Sequence, residues 1–461
     1  MSAYLGSTKI GQMFLGSTEI AEAYLGSTLV WQKREPVVDY STKYLTLTAL
    51  ESSTISIKAN DSAPNIPTIW YSTNDGNTWT QVSVSTTATN LATLSNGGSV
   101  LVKGTQSGTS STGYVTISGT GNFSASGNVM SLIYGDNFIG QKSLAGKDYA
   151  FQGLFYQSSK LVDIENIVLP ATTLSPSCYR NMFRGTSITS AQELELPAMT
   201  LTDSCYRMMF RDCASLTSAP RLPATTLVDS CYRTMFYNCT SLITTPIISA
   251  TTVGSYSCYG MFNNCSSLTT APELLATTIG PNCYEFMFYQ CTSLVNLPST
   301  LPATTLADNC YKQMFDRCSA LTSIPSNFLP ATTLAPNCYK WMFEYCTSLN
   351  NVPSTLLPAT KLVNSCYYGM FHNCSSLTTA PILPAITLNQ AYCYAYMFVY
   401  CYNLNYVKAM FTTDPNGRNY TIGWLTDVAQ TGTFVKNSAA AWNMTGSNGI
   451  PSGWTVQTAS S

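Results

Sequence analysis

The chain has 461 residues, of which 45% are hydrophobic but only 10% charged, and a net charge of −1. This length allows two to four domains and a sizeable core. The charge balance excludes a basic field of the kind that holds nucleic acid, and no run approaches the roughly 18 apolar residues of a membrane span. Ser, Thr and Asn must carry solubility in place of charge.

Three ten-residue repeats open the sequence, Tyr4-Leu5-Gly6-Ser7-Thr8, Phe14-Leu15-Gly16-Ser17-Thr18 and Tyr24-Leu25-Gly26-Ser27-Thr28. An aromatic-Leu pair, a Gly turn and a short apolar return predict short strands reversing direction over residues 1–35. Such strands cannot bury an apolar face alone. The segment is therefore either a cap for the next domain or a docking and oligomerisation module that uses Tyr4, Leu5, Phe14, Leu15, Tyr24, Leu25 and Trp31. The first residues carry no basic stretch, apolar run or cleavage-like site, so a chain made in the cytosol without a secretion signal is expected.

Residues 36–140 switch to short alternating runs, among them Tyr44-Leu45-Thr46-Leu47-Thr48 and Ser99-Val100-Leu101-Val102, separated by Gly, Asn and Asp clusters. That spacing predicts one immunoglobulin-like β-domain. Within it, Ser72–Trp79 resembles the Asp-box hairpin of sialidase propellers. A single copy, with Asn74 where the box has Asp, reads as a tight hairpin with Trp79 beneath it.

From 141 to 410 one unit of roughly 27 residues repeats. Cys-Tyr dipeptides begin at Cys178, Cys205, Cys231, Cys258, Cys283, Cys310, Cys338, Cys366 and Cys393. A cysteine-free copy at Ala150-Phe151 and Leu154-Phe155 reads as an atypical first repeat, giving about ten units. In each, Ser-Leu-x-x-x-Pro predicts a short strand with its Leu inward (Leu216, Leu268 and Leu321, for example). Leu-Pro-Ala-Thr-Thr-Leu makes a second wall, and Cys-Tyr-x-x-Met-Phe fits two helical turns with Cys, Met and Phe on one face. The expected class is therefore mixed α/β, a leucine-rich-repeat-like solenoid in which stacked copies close the core. Residues 411–461, with Trp424, Phe434, Trp442 and Trp454, read as a C-terminal cap.

All 17 cysteines fall in the repeat, nine in the Cys-Tyr column and eight in a second column at Cys213, Cys239, Cys265, Cys291, Cys318, Cys346, Cys374 and Cys401. Zinc-ligand pairs are missing, and the odd count argues against a disulfide framework. Adjacent coils could bring a few cysteines into bonding range after release, but the preferred reading is small buried thiols beneath each turn, with no metal and no cofactor.

The single histidine, His372, occupies a variable slot expected to be exposed, so a hydrolase with a His base is disfavoured. Asp203, Asp229 and Asp308 share one column before Cys-Tyr and read as caps of the short helix. No catalytic residues are nominated and no enzyme is expected. What varies inside the constant frame is a set of Arg, Lys and Tyr residues: Arg180, Arg184, Arg207, Arg211, Arg233, Tyr237, Tyr289, Arg317, Lys340, Tyr345 and Tyr368. Tyr and Arg are enriched in recognition surfaces, and such rows suit sugar rings. A merely solvated face is the competing reading.

The unit Cys-Tyr-x-x-Met-Phe-x-x-Cys-x-Ser-Leu-x-x-x-Pro-x-Leu-Pro-Ala-Thr-Thr-Leu resembles the BspA-like leucine-rich repeats of Bacteroidales surface proteins and the copies carried by their phages. The Tyr-Leu-Gly-Ser-Thr decads resemble the opening of virion proteins from crAss-like and related Bacteroides phages. The resemblance implies a non-enzymatic head or tail fibre or decoration protein on the virion surface. It would be a dimer or trimer held to other virion proteins by residues 1–35, and would present the solenoid to a host-surface glycan or protein, with no nucleic-acid partner and no membrane insertion. The alternative it implies is a bacterial BspA-like adhesin at the cell surface, without virion association.

Overall fold

The computed structural model describes residues 38–60, 68–105 and 115–459, together with strand pairs within residues 4–32. The three opening decads form three antiparallel hairpins: Tyr4–Leu5 with Thr8–Lys9, Phe14–Leu15 with Thr18–Glu19, and Glu22–Leu25 with Thr28–Gln32. The side chains of Tyr4, Leu5, Phe14, Leu15, Tyr24, Leu25 and Trp31 lie outside the described residues.

Alternating apolar runs build two β-sheets between Leu45 and Asn128. Leu45, Leu47, Val100, Val102, Ile55 and Ile57 are all fully buried, as a two-sheet core requires. Strand Ser53–Ala59 pairs with Thr89–Leu94 and Val115–Gly119 in the smaller sheet. In the larger sheet the first strand, Leu45–Ala49, lies between Ser99–Thr105 and Phe123–Asn128. An immunoglobulin sandwich pairs its first strand with its second; here those two strands lie in different sheets, so the immunoglobulin-like expectation does not hold. The larger sheet also runs on into the solenoid, because Phe123–Asn128 pairs in parallel with Leu161–Asp163 and Ile167–Val168. One buried apolar cluster consequently extends from Leu45 to Trp454. The Ser72–Trp79 hairpin is closed by Asn74, whose Oδ1 accepts from the Thr78 amide at 3.0 Å and from the Ser72 hydroxyl at 2.8 Å.

The solenoid has about nine turns bearing the motif and very little helix. Among the described residues the α-helix is the four-residue Ser131–Tyr134, outside the repeat, so the mixed α/β expectation is overturned. Cys-Tyr-x-x-Met-Phe is instead a run of tight turns in which every fourth residue has a positive φ, for example Asn282, Phe286 and Gln290 or Asn309, Gln313 and Arg317. The backbone bonds alternate. In one coil Tyr284, Phe286 and Phe288 donate N–H to the carbonyls of Cys310, Lys312 and Met314 in the next coil, at 2.9–3.0 Å. The intervening Glu285, Met287 and Tyr289 donate to carbonyls three residues back, at 3.1–3.4 Å. The amides from Tyr284 to Tyr289 are thereby all paired without helix or strand, satisfying a buried backbone.

The burial pattern follows the period of four. Cys-Tyr and Met-Phe point in as two pairs, and the two residues after each pair point out. A helix turns every 3.6 residues and would drift off this face over the eight residues from Cys205 to Cys213. Asp203, Asp229 and Asp308 therefore cap no helix. Asp229 instead accepts the Ser255 amide of the next coil at 2.9 Å.

The Leu and Thr-Thr-Leu walls stack as short parallel ladders, such as Thr226–Leu227, Thr252–Val253 and Thr278–Ile279. Leu216, Leu242, Leu268, Leu294, Leu321, Leu349 and Leu377 are fully buried. After the last Cys-Tyr unit the period-four turn continues through Asn419, Gly423 and Asp427, each with positive φ. The parallel strands Tyr406–Ala409, Gly432–Lys436 and Trp454–Thr458 complete that end.

Candidate functional site

The inner columns of the turn wall fix what the outer columns can do. The phenylalanines form an unbroken stack from Phe155 through Phe183, Phe210, Phe236, Phe262, Phe288, Phe315, Phe343 and Phe371 to Phe398, with ring centroids 5.4–5.8 Å apart. The tyrosines stack beside them at 5.6–5.9 Å, but in two blocks, Tyr179 to Tyr232 and Tyr284 to Tyr394.

The break between the blocks is a shift of register by one residue. The amide of Cys258 donates to the Cys283 carbonyl just as that of Tyr284 donates to Cys310, so Cys258 stands in the tyrosine column and Ser257 in the cysteine column. The sequence assignment of Cys258 to the Cys-Tyr column is thus corrected, and Tyr259 faces outward.

All 17 cysteines are free and buried. Burial raises the thiols, Cys291 to about 12 for example, so they remain protonated and unreactive. Among the described residues no group of three or more His, Cys, Asp or Glu is placed to hold a metal.

The Arg, Lys and Tyr residues singled out in the sequence fall into three columns. Arg180, Arg207, Arg233, Lys340 and Tyr368 follow directly on Cys-Tyr. Arg184, Arg211, Tyr237 and Tyr289 follow Met-Phe, and Arg317 and Tyr345 stand one position further on, at positive φ. Apart from the exposed Tyr156, Tyr256, Tyr392 and Tyr400, the outer Arg, Lys and aromatic side chains of the turn wall lie half-buried against one another. The guanidinium of Arg211 lies 4.1 Å from the Tyr237 ring and that of Arg317 4.3 Å from Tyr345, while the Lys340 ammonium is 4.4 Å from both Trp341 and Tyr368. Asp212 pairs with Arg184 at 3.1 Å and Arg211 at 3.4 Å, and Glu285 pairs with Lys312 at 2.8 Å.

The two ends of the wall differ. Toward the N-terminal end it is rich in arginine. Toward the other end it is an aromatic surface with two runs of ring contacts, Trp341 to Tyr368 to Tyr396 and, through His372, Tyr345 to Tyr400. His372 lies inside that surface, between the Tyr345 and Tyr400 rings and with Nδ1 3.2 Å from a Glu344 oxygen, rather than exposed as expected. Trp341 and Tyr396 were missed in the sequence because they occupy the positive-φ position before Met-Phe, which a helical reading does not mark as outward. Gly369, also at positive φ, lies beneath Trp341, whose indole Cδ1 and Nε1 occupy the space a Cβ would take.

A burial pattern of inward Leu and outward polar rows, repeated coil upon coil, defines a leucine-rich-repeat solenoid. The family model of the BspA type leucine rich repeat region matches in six copies, at residues 149–286, 177–315 and 277–405. These matches cover more than half of the chain, and the chain belongs to that family. A leucine-rich repeat protein from Bacteroides ovatus ATCC 8483 is similar over 76% of this chain and 88% of its own, at 16% identity and a TM-score of 0.31. No curated protein matches the chain.

Proposed function

We propose that the chain is a non-enzymatic adhesion protein whose turn wall recognises a glycan or protein on a cell surface. The observation that carries this reading is the outer face of that wall, where cations and aromatic rings are held half-buried by one another on a rigid ladder. Such preorganised Arg and aromatic rows lose little side-chain entropy on binding. Family membership agrees with a surface adhesin type of repeat protein.

Residues 1–35 serve in this reading as the docking segment, and their hairpin decads, which resemble virion openings, favour attachment to a phage particle as a fibre or decoration protein. The alternative is an adhesin of the bacterial cell itself. Mass spectrometry of purified phage particles from the source, with and without residues 1–35 in the chain, separates the two. The virion reading expects the full chain on particles at fixed copy number and its loss on deletion. A chain absent from particles, or retained after the deletion, contradicts it and leaves the cellular adhesin.

A further inference from the structure

On three consecutive coils the residue after Cys-Tyr is arginine, and these three, like Lys340 further along the same column, lack the carboxylate that other cations of the wall have. Arg184 and Arg211 share Asp212, Lys312 has Glu285, and Arg317 approaches Asp316 at 3.9 Å. Arg180, Arg207 and Arg233 have no carboxylate partner. The Nε atoms of Arg180 and Arg207, and of Arg211 in the neighbouring column, are buried without a hydrogen-bond partner, although native proteins leave few such donors unpaired; Arg211 has the Asp212 carboxylate beside it, whereas Arg180 and Arg207 have none. Arg207 lies between the other two. Burial, followed by the charges of Arg180 and Arg233, pushes its guanidinium down to about 10, with Asp203 opposing. A guanidinium keeps its charge almost everywhere, so the row stores like-charge repulsion in the free protein.

The spacing of the row is fixed by the core. The Tyr179, Tyr206 and Tyr232 rings that directly precede these arginines step by 5.6 and 5.9 Å, and the Phe183, Phe210 and Phe236 rings of the same coils by 5.5 Å, a step close to the length of one sugar unit in an extended chain. At one end the Arg233 guanidinium lies 4.8 Å from the Tyr259 ring and 5.1 Å from the Tyr256 ring, which offers flat apolar surface beside the last cation. Forked guanidinium donors match carboxylate and sulfate oxygens.

We propose that Arg180, Arg207 and Arg233 form a ladder that binds a linear acidic glycan, one carboxylate or sulfate to each coil. This rests on the adhesion reading and narrows its ligand to one class. The near-neutral chain and the sugar-length step favour such a glycan over nucleic acid.

The test is biolayer interferometry of the full chain against polygalacturonate, dextran sulfate, neutral dextran and a single-stranded oligodeoxynucleotide. Binding to one or both acidic glycans, weakened by salt, is expected, with none to dextran. Carboxylate against sulfate preference is read from the first two probes. The triple variant Arg180→Gln, Arg207→Gln, Arg233→Gln should lose at least tenfold in affinity while melting no lower than the parent, since repulsion is relieved. A charge-matched control, Lys58→Gln, Lys160→Gln, Lys361→Gln, removes exposed cations elsewhere and should change affinity less than twofold.

Failure to bind either acidic glycan, equal weakening in the control, tighter binding of the oligonucleotide, or unfolding of the triple variant each overturns the ladder. If the triple variant still binds host cells while Lys340→Ala does not, the ladder falls and the adhesion reading stands.

Discussion

Each cysteine that follows Met-Phe donates its thiol hydrogen to the carbonyl of the phenylalanine one coil earlier, as Cys239 does to Phe210 and Cys291 to Phe262, both at 3.1 Å. That carbonyl already accepts an amide from within its own coil, so the thiol fills its second lone pair. Alanine would lose both the donor and the volume of the sulfur, and Cys291→Ala should cost about 1–2 kcal/mol in chemical denaturation. The buried, protonated thiols should also be silent to a thiol-reactive chromophore in the native chain and all react once it is denatured.

Asp316 makes a second residue-scale prediction. Burial and, after it, the neighbouring Glu344 carboxylate raise its carboxyl to about 7, against the help of Gln313 and Arg317. Glu344 in turn faces His372. In the unfolded chain Asp316 ionises near 3.8, its ordinary value, so between that pH and 7 the folded chain holds a proton the unfolded chain has released. Stability should therefore fall as the pH rises through this window. Asp316→Asn should remove the dependence, gaining on the order of 2 kcal/mol over the parent at pH 8 and nothing at pH 4. Urea midpoints at the two pH values measure it; an unchanged difference between them contradicts the assignment.

At the scale of the element, the wall depends on a left-handed residue every fourth position. Asn, Ser and Gly occupy many of these sites, as Asn238, Ser204 and Gly185 do, but Thr234, Phe286 and Trp341 occupy others. A bulky residue there costs on the order of 1–2 kcal/mol, offset by the amide bonds to the next coil. Thr234→Asn should raise stability by about 0.5–1 kcal/mol, because a β-branched side chain is least suited to this conformation. Gly369→Ala should do the reverse and push Trp341 aside, visible as a shift in tryptophan emission together with a lower melting temperature.

The period of the inward residues was legible in the sequence, and so were the buried Leu columns and the small buried thiols. The element itself was not, because a spacing of Cys to Met to Cys by fours sits close to a helical face. The recurrent Asn, Ser and Gly at every fourth position were the signal that separates the two. The same limit hid the register at Ser257. Cys-Tyr spacings of 27 and 25 around Cys258 become two equal steps of 26 once Ser257 is placed in the column. The cation and aromatic rows were visible as residue types, whereas their division into an arginine half and an aromatic half depended on knowing which two of every four residues face out.

For the whole molecule, a stack whose coils touch only their neighbours has stability that sums along its axis and needs closed ends. The β-sheet domain closes one end through Phe123–Asn128. At the other end Trp424, Trp442 and Trp454 donate their indole N–H groups to the carbonyls of Gly449, Phe411 and Ala429. Deleting residues 411–459 should uncover the last Phe and Tyr of the ladders and give aggregation in light scattering, with amide exchange in the remaining coils fastest at the cut end.

Flow cytometry of labelled full chain on host cells shows whether the turn wall is the recognition surface. Two variants are compared with the parent: one alters outer residues of the turn wall (Arg180→Gln, Arg207→Gln, Lys340→Ala, Tyr368→Ala), the other alters exposed residues of the opposite walls (Ile243→Ser, Ile247→Ser, Leu275→Ser). Binding should be lost in the first and kept in the second, with both folded. Binding kept in the first and lost in the second would place recognition on another face and contradict that role for the turn wall.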